Sequence, residues 1–199
     1  MKDMSYERSW PDGLVIRELV SDEYAKLVMP HHGSIFTADS PRFLYDDYCS
    51  DEEKEKLKAL RSTVQGFRLT IGAFFNGKFA GWHFGRQDSP DTYYMTNSAV
   101  LPEFRRQKIY QRLLESTIEL VTSIGFQCIK SSHHPSNNSV IIPKLKIGFW
   151  ICGTQTSDTF GTLVNLVWYP KQTRKDAFEF RIGYKFATPE LSGLTRLRD

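Results

Sequence analysis

The sequence predicts a mixed α/β fold, in which a central, mostly antiparallel sheet of about seven strands is flanked by helices. Three observations carry that expectation. First, "FRLTIGAFFNGKFAGWHFGRQDS", Phe67 to Ser89, is a pair of aromatic-rich runs joined by Asn76-Gly77. That dipeptide supplies both positive-φ positions of a tight type I′ turn, so the stretch reads as a β-hairpin. Second, Ile109, Leu113, Leu114, Ile118, Val121 and Ile124 fall on one face of a helix that Gly125 ends. Third, strand and helix signals alternate beyond the hairpin, and a meander followed by βαβ units makes a mixed sheet with helices on its faces.

The elements follow in order. "LVIREL", Leu14 to Leu19, is the first strand, and a helical region with loops extends to about Val64. Within it Ser50 and Glu53 have the spacing of a capping box, in which a Ser side chain accepts from the third helical amide and a Glu reaches back to the Ser N–H. "EKEKLKALRSTV" continues from it as a helix. After the hairpin, "TYYMTNSAV" is a strand that ends near Pro102, and the amphipathic helix comes next. "QCIKSS" is a short strand, "SVIIPKLKIG" a short helix that Pro143 must kink or begin, and "TLVNLVWY" a further strand. Beyond Pro170 the alternation of Phe178, Phe180, Ile182, Tyr184 and Phe186 predicts one more strand. It would lie in a C-terminal extension, 170–199, of a single domain 1–199, and would cover the sheet edge, form a dimer contact or close a substrate pocket. The end, "PELSGLTRLRD", reads as frayed.

Composition narrows the function. A length of 199 residues suits one domain that buries most of its surface. The net charge of +3 admits an anionic ligand but lies well short of a nucleic-acid-binding profile. Cys49, Cys128 and Cys152 are odd in number and widely spaced, which argues against a disulfide framework and a zinc site; no metal is expected, and Cys128 and Cys152 read as core residues. With neither a membrane-length apolar run nor the apolar core of a signal peptide, the expected setting is cytoplasmic, with no membrane partner. There is no internal repeat or low-complexity segment.

The chemistry starts at a conflict. Arg105, Arg106 and Lys108 load cations onto the start of the amphipathic helix, an end that already carries partial positive charge. A bound anion would remove the conflict, because free N–H groups at a helix start form an anion site.

Here "VLPEFRRQKIYQRLLE" resembles motif A of the GNAT superfamily of acyl-CoA-dependent N-acyltransferases: Val100, Pro102, Phe104 and Arg105 match. "NNSVIIPKLKIGF" resembles the second signature of that family, an Asn followed by a short helix ending in Leu-Gly-Phe. Asn137, Gly148 and Phe149 match it, with Ile147 in place of Leu. Both motifs lie in the family's order, and the resemblance covers about Leu14 to Tyr169. It implies a GNAT-like fold and a site for acetyl-CoA. The amides of Arg105, Arg106, Gln107, Lys108, Ile109, Tyr110 and Gln111 would wrap the pyrophosphate, with Asn137 also on the cofactor side. A backbone N–H of Val100 or Leu101 would meet the oxyanion. The family's two Gly positions hold Lys108 and Tyr110, where a side chain could obstruct close backbone approach.

The implied activity is N-acetyl transfer to a primary amine of a small molecule or peptide, by direct attack on the thioester. Where many relatives carry an acidic Tyr, four residues before the signature Gly, this chain has Lys144. Lys144 would donate to the leaving thiolate or contact a phosphate, with Tyr169, Tyr94 and Ser136 as substitutes. Asn97 would align the amine or a water, and His83, on the second hairpin strand, is a candidate base through its near-neutral pKa. Of His133 and His134, adjacent on a strand, at most one faces the site, and they cannot chelate one metal together. His31 and His32 read as loop residues, and Phe43, Tyr45, Tyr48 and Trp82 as candidate lining of an acceptor pocket. The alternative is a catalytically silent GNAT-like domain that binds acyl-CoA as a sensor or scaffold. A second copy of the chain, in a homodimer, is a candidate partner.

Overall fold

The computed structural model describes residues 6–36, 48–186, 188, 189 and 193. In chain order these build β1 (Glu7–Ser9), β2 (Leu14–Glu18), α1 (Ser21–Leu27), α2 (Met29–Phe36) and α3 (Asp51–Thr63). Then come β3 (Arg68–Phe75), β4 (Lys78–Ser89), β5 (Thr92–Val100), a single 3-10 turn at Pro102–Phe104, and α4 (Ile109–Ile124). The chain continues through β6 (Cys128–His133), α5 (Asn138–Lys146), β7 (Trp150–Ser157), β8 (Gly161–Trp168) and α6 (Gln172–Arg181). The eight strands form one sheet in the order β1-β2-β3-β4-β5-β6-β8-β7. Every pair is antiparallel except β5 with β6, which α4 joins as a parallel crossover.

Local chemistry accounts for the main elements. Asn76 and Gly77 take φ of +49° and +76° in the β3–β4 turn. The capping box of α3 is formed: Ser50 Oγ accepts from Glu53 N at 3.3 Å, and Glu53 Oε2 accepts from Ser50 N at 2.8 Å. α4 buries Ile109, Leu113, Leu114, Ser116, Thr117, Leu120 and Val121 and ends at Gly125, φ +116°. Ile124, expected on that face, is exposed, and Thr117 takes part in its place because its hydroxyl donates to Leu113 O at 2.7 Å.

Helices cover both faces of the sheet. One core joins Leu14, Ile16, Ile71, Tyr93 and Ile129 to Leu113 and Val121 of α4. The other packs Leu19, Val28, Trp82, Ala99 and Leu101 beneath α1 and α2. Each fully buried large aliphatic side chain contributes about 1.5–3 kcal/mol. Arg112 also ties α4 to the β1–β2 turn through Asp12 (2.7 and 2.8 Å) and lies over the Trp10 ring. Pairs this exposed contribute less than about 1 kcal/mol, so the core fixes the helix.

The C-terminal strand is the main correction. Residues 172–181 form α6, and the alternating aromatics share no face. Phe178 meets the Trp150 and Tyr169 rings, whereas Phe186 is 95% exposed. What α6 buries is Glu179, 2% exposed, whose carboxylate pairs with Lys185 at 2.6 Å and Lys175 at 3.8 Å. β1 and β7 are strands the pattern did not predict. Cys152, expected in the core, is exposed on β7, while Cys128 is buried. Pro143 lies inside α5, and His31 and His32 lie on α2 rather than in a loop. Phe43, Tyr45 and nearly all of "PELSGLTRLRD" fall outside the described residues. Among the described residues, no helix is long and apolar enough to cross a membrane.

Candidate active site

The parallel pair at the centre of the sheet creates the site. β5 and β6 are partnered only from Thr92 to Tyr94 and from Cys128 to Lys130. Past that point β5 stays on β4 and β6 stays on β8, so the two strands diverge. The resulting cleft, of about 1870 Å³, is walled by β5, the loop into α4, β6 and α5.

At its mouth, Arg106 and Lys108 adopt left-handed backbone, φ +63° and +60°. Such a conformation costs a residue with a side chain about 1–2 kcal/mol. Among the described residues, the amides from Arg106 to Gln111 meet no backbone carbonyl, and the helical ladder begins with Arg112 N donating to Lys108 O at 3.1 Å. Successive free N–H groups with alternating helical hand form an anion nest, and the helix dipole adds to it. These residues therefore fit a pyrophosphate. Ile109 is buried and Tyr110 packs against the core, with its phenol pushed well above the usual range by burial, so both offer the nest backbone rather than side chain. Gln111 donates to Glu115 at 2.8 Å, and Arg105 Nε donates to Val100 O at 3.3 Å. Gln107 lies on the loop but does not line the cleft. Lys108 holds the backbone conformation a Gly would take, with its side chain exposed, so it leaves the nest open.

Strand register separates the two oxyanion candidates. Leu101 N donates to Ala80 O at 2.9 Å. With Gly81 opposite Val100 and Trp82 opposite Ala99, amide direction alternates: Ala99 and Leu101 turn toward β4, and Val100 turns toward the gap. Leu101 is thereby corrected as an oxyanion donor. Thr96, facing no partner where Asn97 lies opposite Phe84 and Met95 opposite Gly85, is the extra residue of a bulge.

Lys144 lies at the cleft floor, 2% exposed. Its Nζ is 3.1 Å from His133 Nε2, 3.5 Å from Met95 Sδ and 5.3 Å from the centre of the Phe149 ring. Burial pushes its pKa down to about 7. The Ile147-Gly148-Phe149 signature explains its placement. Gly148, φ +97°, ends α5 in a Schellman turn, with Phe149 N on Lys144 O at 3.0 Å and Gly148 N on Leu145 O at 3.1 Å. That turn fixes the Lys144 backbone and brings the Phe149 ring under its own ammonium. Asn137 caps the other end of α5, where its carbonyl accepts from Ile141 N at 3.0 Å and its side chain from Ser139 Oγ at 2.8 Å.

The remaining candidates divide. Asn97 lines the cleft, and its Oδ1 accepts from Trp82 Nε1 at 2.9 Å. Tyr94 and Ser136 also line it, and His32 reaches it from α2. His83 does not: it is 0% exposed, its Nδ1 is 2.7 Å from Ser98 Oγ and its Nε2 is 2.8 Å from Tyr93 OH. Burial, and then Lys144, lower its pKa to about 3. With both nitrogens engaged inside the sheet, it has no lone pair to offer an acceptor amine. Tyr169 packs on Phe178 and Arg174 of α6, away from the cleft. Trp82 is buried beneath Phe36 and Phe79, and Tyr48 is exposed. His133, which the sequence did not single out from its pair, is the neighbour of Lys144; His134 is exposed and bonded to Ser136 Oγ at 2.8 Å. Among the described residues, no three His, Cys, Asp or Glu side chains gather to hold a metal.

Comparison with known proteins agrees with this architecture. The family model described as "Acetyltransferase (GNAT) family" matches residues 32–149. No curated protein matches the sequence. Similar solved structures include the ribosomal-protein-S18-alanine N-acetyltransferase of Escherichia coli, at 19% identity and TM-score 0.57 over 78% of this chain and 93% of that one. A GCN5-related N-acetyltransferase from Kribbella flavida gives 18% identity and TM-score 0.61 over 80% of this chain and 99% of that one. The Salmonella typhimurium protein yncA, solved with its cofactor acetyl-CoA, gives 13% and 0.58 over 80% and 95%. At such identities the structures speak for the fold, and the family model covers more than half of the chain: it belongs to the GNAT acetyltransferase family.

Proposed function

We propose that this protein transfers an acetyl group from acetyl-CoA to a primary amine of a small molecule or peptide, by direct attack of the amine on the thioester. One observation carries the reading: a nest of free amides opens onto a cleft whose floor holds a buried lysine with a pKa of about 7. Bound there, acetyl-CoA supplies an activated acyl group. The amides of Arg106 to Gln111 hold its pyrophosphate, with the Arg105 and Arg106 side chains beside them. Asn137, at the start of α5, holds the arm between phosphate and thioester.

At the reacting end, the Val100 N–H points into the gap and stabilises the oxyanion, a role worth about 2.7–4 kcal/mol for one fixed donor. Lys144 gives its proton to the departing thiolate. Its pKa lies below the roughly 8.5 of a free thiol, so the transfer runs downhill. Asn97, held by Trp82, aligns the amine or a water that takes the amine's proton. His83 keeps the strands in place and takes no part in proton transfer.

The test has two arms. In a thermal melt, acetyl-CoA at about 100 times its dissociation constant should add about 2.7 kcal/mol of stability. In a thiol-release assay over a panel of amines, at least one acceptor should turn over. Stabilisation without turnover on any amine would favour an acyl-CoA sensor, and no melting shift at millimolar coenzyme A would sink the cofactor site itself.

A further inference from the structure

Lys144 has one strong partner. Among the described residues, the group within reach of its Nζ, apart from the Met95 thioether and the Phe149 ring face, is His133 Nε2, at 3.1 Å. His133 Nε2 is in turn 3.0 Å from Ser131 Oγ, and Ser131 is buried. Burial, and then the charge of Lys144, lower the pKa of both His133 and His83 of β4, which keeps both imidazoles uncharged near neutral pH. Among the described residues no carboxylate pairs with Lys144, and burial lowers its pKa.

We propose that His133 is a positioning residue for Lys144, holding Nζ on the cleft floor in both charge states of the lysine. Toward the ammonium, Nε2 of the neutral ring accepts. Toward the free amine, the other tautomer donates its Nε2–H into the nitrogen lone pair, and the Ser131 hydroxyl rotates to serve either arrangement. The inference rests on Lys144 acting as the proton donor. When Lys144 protonates the sulfur, one N–H bond breaks, its electron pair stays on Nζ, and an S–H bond forms. That leaves an uncharged amine, which would be a nucleophile in the wrong place when the next acetyl-CoA binds. With its lone pair engaged by His133, the amine is held for reprotonation instead of attacking the thioester. The ring is partly exposed, so solvent exchanges its tautomers with no net proton gained or lost.

The experiment follows each charge state separately. Protein carrying ¹³C at the lysine ε-carbon is titrated by NMR, with the Lys144 resonance assigned by its loss in Lys144→Met. His133→Leu removes both the acceptor of the ammonium and the donor to the free amine. The charged bond is the stronger of the two, so the Lys144 midpoint should fall, by less than the roughly one to two pH units that one charged hydrogen bond is worth. His133→Gln, whose amide both accepts and donates, should hold the wild-type midpoint. Peptide mass analysis after incubation with acetyl-CoA alone should find one acetyl group on Lys144 in His133→Leu, and none in wild type or His133→Gln. His133→Met gives the same two readings should the leucine variant misfold. A midpoint unmoved in the apolar variants overturns the ammonium half of the proposal, and an unacetylated Lys144 in them overturns the amine half. If Lys144→Met turns over amines at the wild-type rate, the proton-donor reading fails, while the contact read from the titration stands.

Discussion

Two helices of this protein begin in opposite ways. α3 is closed by its own residues: Ser50 and Glu53 exchange hydrogen bonds, and Asp51, Glu52 and Glu53 crowd the first turn, where the dipole favours negative charge. α4 has no side-chain cap and no acidic residue in its first turn, and it enters through two left-handed residues that carry long cationic side chains. The first arrangement satisfies a helix end from within the chain. The second holds local strain and free amides together, which is stable only when the rest of the fold imposes it and useful only when something else completes it. α3 is closed by its own residues, whereas the start of α4 leaves its amides open to a ligand.

The same contrast separates two buried titratable groups. His83 has a partner on each nitrogen, whereas among the described residues no countercharge meets Lys144. The largest expected effect is therefore at Lys144. Unfolded, its amine titrates near 10.5; folded, near 7. Between those values the unfolded chain binds a proton that the folded chain does not, so stability rises with pH across that window. Below about 7 both states hold the proton, and the full cost of burying the ammonium is present. Lys144→Met should remove that cost and stabilise the protein by roughly 2–4 kcal/mol near pH 6, with the gain shrinking toward pH 10, while acetyl transfer is lost. Urea unfolding of both proteins at the two pH values measures it. A variant no more stable than wild type near pH 6 would mean that the ammonium is better compensated than its contacts indicate.

At the α4 start, Arg106→Glu should weaken coenzyme A binding by roughly 10- to 100-fold, the range expected for removing one charge-assisted hydrogen bond to phosphate. The apo melting temperature should change little, because the side chain is exposed. Calorimetric titration of wild type and variant gives the ratio, and equal affinities would move the pyrophosphate off this loop.

Where these contrasts were legible in advance depends on how local their physics is. The Ser50–Glu53 cap, the Asn76-Gly77 turn and the stripe of α4 rest on residues a few positions apart, and the structure keeps each of them. β7 was not legible because it is an edge strand with nearly every side chain in solvent, so no alternation marks it. The aromatics near the C-terminus alternate by coincidence: the buried residue of α6 is Glu179, and its lysine partners, not an apolar face, set its packing. At the candidate site, the motif pointed to Lys144 and to the loop into α4, both of which line the cleft. The choice of Val100 over Leu101 needed the register against β4, and the approach of His133 to Lys144 needed α5 folded across β6.

At α3 the expected outcome is the converse of Arg106→Glu. Ser50→Ala removes an acceptor from Glu53 N and should cost about 1 kcal/mol of stability, leaving coenzyme A affinity unchanged. Thermal unfolding and the same calorimetric titration, run side by side, distinguish a structural helix start from a functional one. A Ser50→Ala protein that binds coenzyme A several-fold more weakly would erase the distinction.

The smallest effect tests the comparison most finely. Lys108, φ +60°, holds a conformation that Gly adopts without penalty, so Lys108→Gly should release about 1–2 kcal/mol of backbone strain. Against that gain stands the greater freedom of Gly in the unfolded chain, which costs roughly 0.5–1 kcal/mol. The net expectation is a stabilisation below about 1 kcal/mol, measured by urea unfolding. Binding gives the second reading. If the left-handed backbone alone shapes the nest, coenzyme A affinity should survive the removal of the side chain, because the amides stay where they are. If the ammonium of Lys108 also meets a phosphate, affinity should fall while stability rises. Either result keeps Lys108 at the site, and the two differ in whether backbone or charge does the binding. A Lys108→Gly protein that is clearly destabilised would show that the Lys side chain anchors the loop, and that the start of α4, like that of α3, is held by its own residues.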